Sequence, residues 1–172
     1  MNGCKARRVL MALPLAAALT ACSMAAASTP APPGSLRLAD ALSGMIWPLP
    51  VQAPGEVSST YGVRGVRHHD GLDIRGRAGD PIYAARDGHV IYSGWMSGYG
   101  NIVILDHGNS VTTRYAHASE LIVGAGERVT RGQVIARVGA TGNAIGNHLH
   151  FEVLWAGRAI DPSSLLPSSA TR

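Results

Sequence analysis

Four of the seven histidines in this 172-residue chain lie in two short clusters, at positions 68, 69, 148 and 150. In His148-Leu149-His150-Phe151-Glu152-Val153, polar and apolar residues alternate with period 2. Successive side chains of a strand point to opposite faces, so His148, His150 and Glu152 share one face and Leu149, Phe151 and Val153 the other. Two imidazoles about 7 Å apart along a strand can line one site. Upstream, His69-Asp70-Gly71-Leu72-Asp73 sets an imidazole and a carboxylate four residues apart around a glycine. A bent loop entering a strand would bring both to one point. Zinc accepts His nitrogen and Asp oxygen, and a catalytic zinc uses three protein ligands with a water in the fourth position. His69, Asp73 and one of the pair His148 and His150 supply that set, and the spare histidine is available for proton chemistry. A lone histidine carries no such implication, and His89 and His107 are assigned no role.

The elements that must hold these residues read as strands. From Trp47 onward, Gly and Pro recur at short intervals with β-branched runs between them. Candidate strands are Val57–Tyr61, His89–Ser93, Asn101–Asp106, Val111–His117, Val134–Val138 and His148–Trp155, with turn signals at Asp87-Gly88, Gly98-Tyr99-Gly100 and His107-Gly108-Asn109. This predicts an all-β fold, with antiparallel β-sheets packed or curled into a compact single domain with Gly-rich loops. Between Leu36 and Ile46 the apolar spacing is near helical, so one short N-terminal helix is expected. Gly126 through Ile135 is similar to the biotinyl and lipoyl carrier modules. A carrier needs a lysine at its hairpin tip, however, and the only lysine here is Lys5.

Between about Trp47 and Pro162 the chain resembles the lysostaphin-type zinc metallopeptidases that cleave peptidoglycan cross-bridges. The motifs occur in order: Tyr61-Gly62-Val63-Arg64, His69-Asp70-Gly71-Leu72-Asp73-Ile74, Gly79-Asp80-Pro81-Ile82-Tyr83-Ala84-Ala85, Asp87-Gly88-His89-Val90, Tyr99-Gly100-Asn101, Tyr115-Ala116-His117, Gly126 through Ile135, and Gly142 through Val153. Each is weak alone; the ordered set is specific. The resemblance implies one Zn2+ per chain held by His69, Asp73 and His150, with His117 and His148 as catalytic residues. His68 falls outside the motif spacing and reads as a non-ligand. Glu152 reads either as a group orienting a ligand imidazole or as a surface carboxylate near a strand end. Three places depart from the family pattern. Ala144-Ile145-Gly146-Asn147 replaces Ser-Thr-Gly-Pro, Ala118 replaces Leu, and Ser110 replaces Gly. The first lies on the expected groove wall and bears on substrate fit, while the metal set is untouched. The implied activity is zinc-dependent hydrolysis of peptide cross-links, with a D-alanyl–diaminopimelate link as the first substrate class for a diderm lipoprotein and glycine bridges as the second. The rival is a non-catalytic wall-binding activator of other peptidoglycan hydrolases. Such relatives have lost metal or catalytic residues, and all five are present here.

The N-terminal segment predicts where this happens. Lys5, Arg7 and Arg8 precede an apolar run from Val9 to Leu19 and then Thr20-Ala21-Cys22, the order of a secretory signal peptide. The run is too short to span a bilayer. Leu19-Thr20-Ala21-Cys22 resembles the lipobox of bacterial lipoproteins, which implies lipidation at Cys22, palmitate included; the alternative is ordinary signal cleavage in the small-residue run Ala25-Ala26-Ala27-Ser28. Ser23 after it is similar to lipoproteins sorted to the outer membrane, facing the periplasm. The expected layout is a signal peptide over 1–21, a lipid-anchored tether and short helix over 22–46, a zinc metallopeptidase domain over 47–166, and a tail over 167–172. Both cysteines, Cys4 and Cys22, are N-terminal, so the domain has none to pair. Without the three leader cations, 12 arginines face 11 acids, a net charge of about +1. That balance shows no basic stripe of the kind a nucleic-acid binder carries, so no nucleic acid is expected. Expected partners are peptidoglycan cross-bridge peptides, the membrane through Cys22, and other cell-wall hydrolases or division proteins.

Overall fold

The structure is a computed structural model and describes residues 38–50 and 56–168. Cys22, the signal peptide and most of the tether lie outside the described residues. Helix α1 (Leu38–Leu42) is shorter than the expected helical stretch. It buries Ala41 and Leu42, followed by Met45, in the main apolar cluster. Arg86 donates to the Ala41 carbonyl, and Arg131 donates to that of Gly44 at 3.1 Å. No helix among the described residues is long and apolar enough to cross a membrane.

Thirteen strands follow among the described residues: β1 (Val57–Ser59), β2 (Gly62–Arg64), β3 (Arg67–His69), β4 (Leu72–Arg75), β5 (Pro81–Tyr83), β6 (Gly88–Met96), β7 (Gly100–Asp106), β8 (Val111–Ala118), β9 (Glu120–Leu121), β10 (Arg128–Val129), β11 (Val134–Arg137), β12 (His148–Trp155) and β13 (Arg158–Ile160). The large sheet runs β1-β4-β12-β8-β7-β6-β10, with β13 also paired to β12. A second sheet runs β5-β11-β9, and β2-β3 form a separate hairpin. Every pairing is antiparallel. The all-β expectation is borne out.

Period-2 patterning selects the faces. On β12, Leu149, Phe151 and Val153 are fully buried. They join Leu72 and Ile74 of β4, Val103 and Leu105 of β7, and Ile82 and Ile135 of the second sheet in one core. Complete burial of such a side chain is worth about 1.5–3 kcal/mol, which pins the register of β12. A one-residue slip would turn the imidazoles into the core. The opposite face of the large sheet carries a smaller apolar cluster of Ile102, Ile104 and Ala116. His148, His150 and Glu152 occupy that same outer face.

Candidate metal and catalytic centre

Strand β12 lies between β4 and β8, and its register sets His150 opposite Asp73 on one side and opposite Ala116 on the other. Reaching that register requires close passage of the chain at Gly71. A Cβ there would come within 2.3 Å of the Phe151 carbonyl oxygen, so only glycine lets β4 dock against β12. His69 closes β3, and its side chain arrives from the hairpin side. The three residues converge: His69 Nε2 lies 3.1 Å from Asp73 Oδ1 and 3.2 Å from His150 Nδ1, and His150 Nδ1 lies 2.8 Å from Asp73 Oδ1. Three donors around a tetrahedral zinc with bonds of about 2.0–2.1 Å stand about 3.3 Å apart. The observed triangle is slightly contracted from that and has the donor types zinc prefers. No other such group of His, Cys, Asp and Glu occurs among the described residues.

The far nitrogens of both histidines are committed. His69 Nδ1 contacts both the Thr60 carbonyl, at 2.9 Å, and the Arg64 guanidinium, at 2.5 Å, and Arg64 donates to that carbonyl as well. His150 Nε2 donates to Glu152 Oε1 at 2.9 Å. Such outer contacts fix ring orientation, so that in their neutral forms His69 and His150 turn the lone pairs of Nε2 and Nδ1, respectively, toward the centre. Glu152 is only 1% exposed. It also accepts from Tyr99 Oη at 2.8 Å and from Arg114 at 3.0 Å. Burial opposes its charge, but His150, Tyr99 and Arg114 outweigh burial and hold its pKa below the usual value. Glu152 is therefore no strand-end surface carboxylate. It is the buried anchor behind His150.

The same balance acts on His150. Burial disfavours its charged form, yet the hydrogen bonds and charges of Asp73 and Glu152 prevail and push its pKa up to about 9. Burial likewise opposes ionisation of Asp73, and the surrounding imidazoles, His150 first, bring its pKa below the ordinary carboxylate value.

His117 arrives by a different route. On β8, strict alternation would send it to the inner face with Thr113 and Tyr115, both fully buried. Instead a β-bulge falls here: Asn101 pairs with Ala118 while Val103 pairs with Tyr115, leaving one extra residue on β8. His117 takes a left-handed φ of 63°, and its N–H donates to the Tyr99 carbonyl at 2.9 Å. Bulges re-aim side chains, and this one returns the imidazole to the outer face. Its ring centroid stands 4.8 Å from that of His148 and 5.8 Å from that of His150. His117 Nδ1 donates to the Thr141 carbonyl at 2.8 Å, and His148 Nδ1 donates to the Gly146 carbonyl at 2.8 Å. Each therefore presents Nε2 to the centre. Burial lowers the pKa of His117 and favours its neutral form.

All five sequence-predicted residues, His69, Asp73, His117, His148 and His150, line one open cleft of about 630 Å³. Ile145, Gly146 and Asn147, from the segment that departs from the family pattern, form part of its wall. His68 turns away from the cleft, hydrogen-bonded to Asp70 at 2.8 Å and edge-on to Tyr61. Ser110, standing where the family has glycine, adopts φ 61°, the conformation in which glycine costs least.

Residues 67–162 match the profile of Peptidase family M23. The chain is 35% identical over 129 residues to Peptidoglycan DD-endopeptidase ShyA of Vibrio cholerae, covering 71% of this chain and 30% of ShyA. It is 36% identical over 122 residues to Murein hydrolase activator NlpD of Escherichia coli, covering 70% of this chain and 31% of NlpD. The chain thus spans under a third of the length of either relative. Among solved structures, a zinc containing peptidase from Vibrio cholerae superposes with a TM-score of 0.61 at 34% identity, over 69% of this chain and 39% of that one.

Proposed function

The chain belongs to peptidase family M23, the lysostaphin-type family, and from that premise we propose that it is a zinc-dependent endopeptidase that hydrolyses peptide cross-links of bacterial peptidoglycan. The observation that carries this reading is the completeness of the centre. Three ligand atoms converge with their outer contacts in place, and two further imidazoles present Nε2 beside them. His69, Asp73 and His150 would hold the zinc, and the bound ion would supply Lewis acidity to a water and to the scissile carbonyl.

The chain's own groups do the rest. An imidazole whose Nδ1–H is tied to a carbonyl has a lone pair at Nε2, so His117 and His148 can each accept a proton at that atom. One takes the proton of the attacking water as the new C–O bond forms. That proton passes to the amine nitrogen as the C–N bond breaks, so the products are a carboxylate-side and an amine-side peptide. The other, in its protonated form, donates a hydrogen bond to the developing oxyanion. The carbonyls of Thr141 and Gly146 hold both rings in position.

The alternative, an activator without turnover, draws on the similarity to NlpD. Incubation of the purified zinc-loaded protein with isolated sacculi separates the two. Release of cross-link cleavage products supports the endopeptidase, and wall binding without release supports the activator. The proposed address is the periplasmic face of the outer membrane, through an acylated Cys22 and the Pro-rich tether, with the domain layout read from the sequence. Replacement of Cys22 by Ala should move the protein from the membrane to the soluble fraction.

A further inference from the structure

The cleft wall contains two arginines, Arg64 and Arg75, and one carboxylate, Asp73. Asp73 is taken up by His69 and His150. Arg64 is taken up by the Thr60 carbonyl and by His69 Nδ1. Arg75 differs from both: it is exposed, and among the described residues no ion pair or hydrogen bond engages its guanidinium. It stands on β4 two residues beyond Asp73, hence on the same face, and its register partner on β12 is His148. A guanidinium with no ion pair or hydrogen bond among the described residues therefore lies at the rim of the reaction centre, beside one of the two proton-handling imidazoles. Glu56 and Asp80 line the pocket on the other side of Arg75.

A guanidinium in that position suits one ligand chemistry above others. Its planar fork matches a carboxylate, with two parallel N–H···O bonds. A diaminopimelate residue on the amine side of a cross-link keeps a free carboxylate on the carbon that bears the scissile nitrogen. A neutral bridge of glycines has no carboxylate within a residue of its internal amides. We propose that Arg75 is the specificity residue of this cleft, pairing with a free carboxylate beside the scissile amide, so that acidic cross-links are taken and neutral bridges are not. This rests on the endopeptidase reading above and narrows its substrate class.

Two synthetic cross-link peptides test it, identical except that the carboxylate beside the scissile amide is free in one and a carboxamide in the other. The wild type should favour the acid by about 10- to 100-fold in kcat/KM, the range for a charge-assisted hydrogen bond, and mainly through KM. Arg75→Ala should raise KM for the acid to that of the amide, with kcat within about twofold and the amide kinetics unchanged. Arg75→Lys should keep part of the preference. Equal use of both peptides by the wild type, or an equal loss on both in Arg75→Ala, overturns the role of Arg75 and leaves the endopeptidase reading standing. Fluorescence anisotropy with the same peptides keeps the two readings apart. Acid-selective, Arg75-dependent binding without turnover would defeat the endopeptidase reading and support Arg75. Absence of both turnover and acid preference would defeat both.

Discussion

Strands β12 and β8 are neighbours in one sheet and deliver histidines to the same centre by opposite means. β12 does so by regularity. Its alternation sends Leu149, Phe151 and Val153 into the core and His148, His150 and Glu152 outward, and nothing in it departs from ordinary strand geometry. β8 does so by an exception. Alternation would bury His117 beside Tyr115, and an inserted residue with a left-handed backbone turns it out again. In β12 the packing that stabilises the fold also positions the proposed metal site. In β8 positioning opposes local backbone preference, and surrounding contacts from the Tyr99 and Thr141 carbonyls hold it. The two strands should therefore respond differently to substitution.

The largest effect belongs to the ligand triangle. With two of three protein ligands left, Asp73→Ala should lose nearly all its zinc and its cleavage should fall below detection. His68→Ala, one residue from a ligand but facing away, should keep both. Elemental analysis of purified variants reads this directly. Zinc loss in His68→Ala with retention in His69→Ala would shift the first motif by one residue.

Next comes the bulge histidine. His117→Ala should keep its zinc and lose roughly 10²–10⁴-fold in cleavage rate, the contribution of general acid–base catalysis. Combined with His148→Ala it should be little worse than the poorer single variant, because in the proposed mechanism both groups act on one transition state. A multiplicative double variant would mean that the two act in separate steps.

A smaller effect is expected behind β12. Glu152→Gln keeps the shape but removes the charge that His150 Nε2–H faces, and it should weaken zinc affinity about 10- to 100-fold. Activity should return largely at saturating zinc, which a chelator-competition titration followed by assay would show. Unchanged affinity would leave Glu152 with packing alone.

The smallest effect is the sharpest test of the contrast between the strands. Where φ is 63°, a Cβ costs roughly 1–2 kcal/mol. The variant His117→Gly should therefore be more stable than His117→Ala by about 1 kcal/mol. At regular His148 the order should reverse, with His148→Gly less stable than His148→Ala by about 0.5–1 kcal/mol. Urea denaturation of the zinc-free variants measures both differences. The same order at both positions would remove the strain assigned to β8.

The same contrast explains what could be read from residues alone. The face shared by His148 and His150 follows from alternation over six residues. Periodicity places His117 on the wrong face, because a bulge leaves no mark in an apolar-polar pattern, and only the ordered family motifs assign it to the site. Glu152 was open for another reason. Its burial depends on β12 being central, between β4 and β8, and a single strand's sequence does not say which strands flank it. The short strands β2 to β5 escape pattern reading because three or four residues carrying Gly, Pro, Arg and Asp show no period. β4 is the costly omission, since it carries both Asp73 and Arg75. Arg75 had no sequence signal beyond its parity with Asp73, and that parity has meaning only once β4 is known to be a strand.

The measurement that bears most directly on the division of labour compares His148→Ala with His150→Ala. The two histidines share a strand and a face and lie two residues apart, but His150→Ala also takes a partner from buried Glu152, so circular dichroism of both variants accompanies the comparison. Zinc per chain and release of cross-link peptides from sacculi would be determined on the same preparations. The predicted result is near-stoichiometric zinc with cleavage reduced roughly 10²–10⁴-fold in His148→Ala, against loss of both zinc and cleavage in His150→Ala. Zinc lost from His148→Ala and kept in His150→Ala would contradict the assignment.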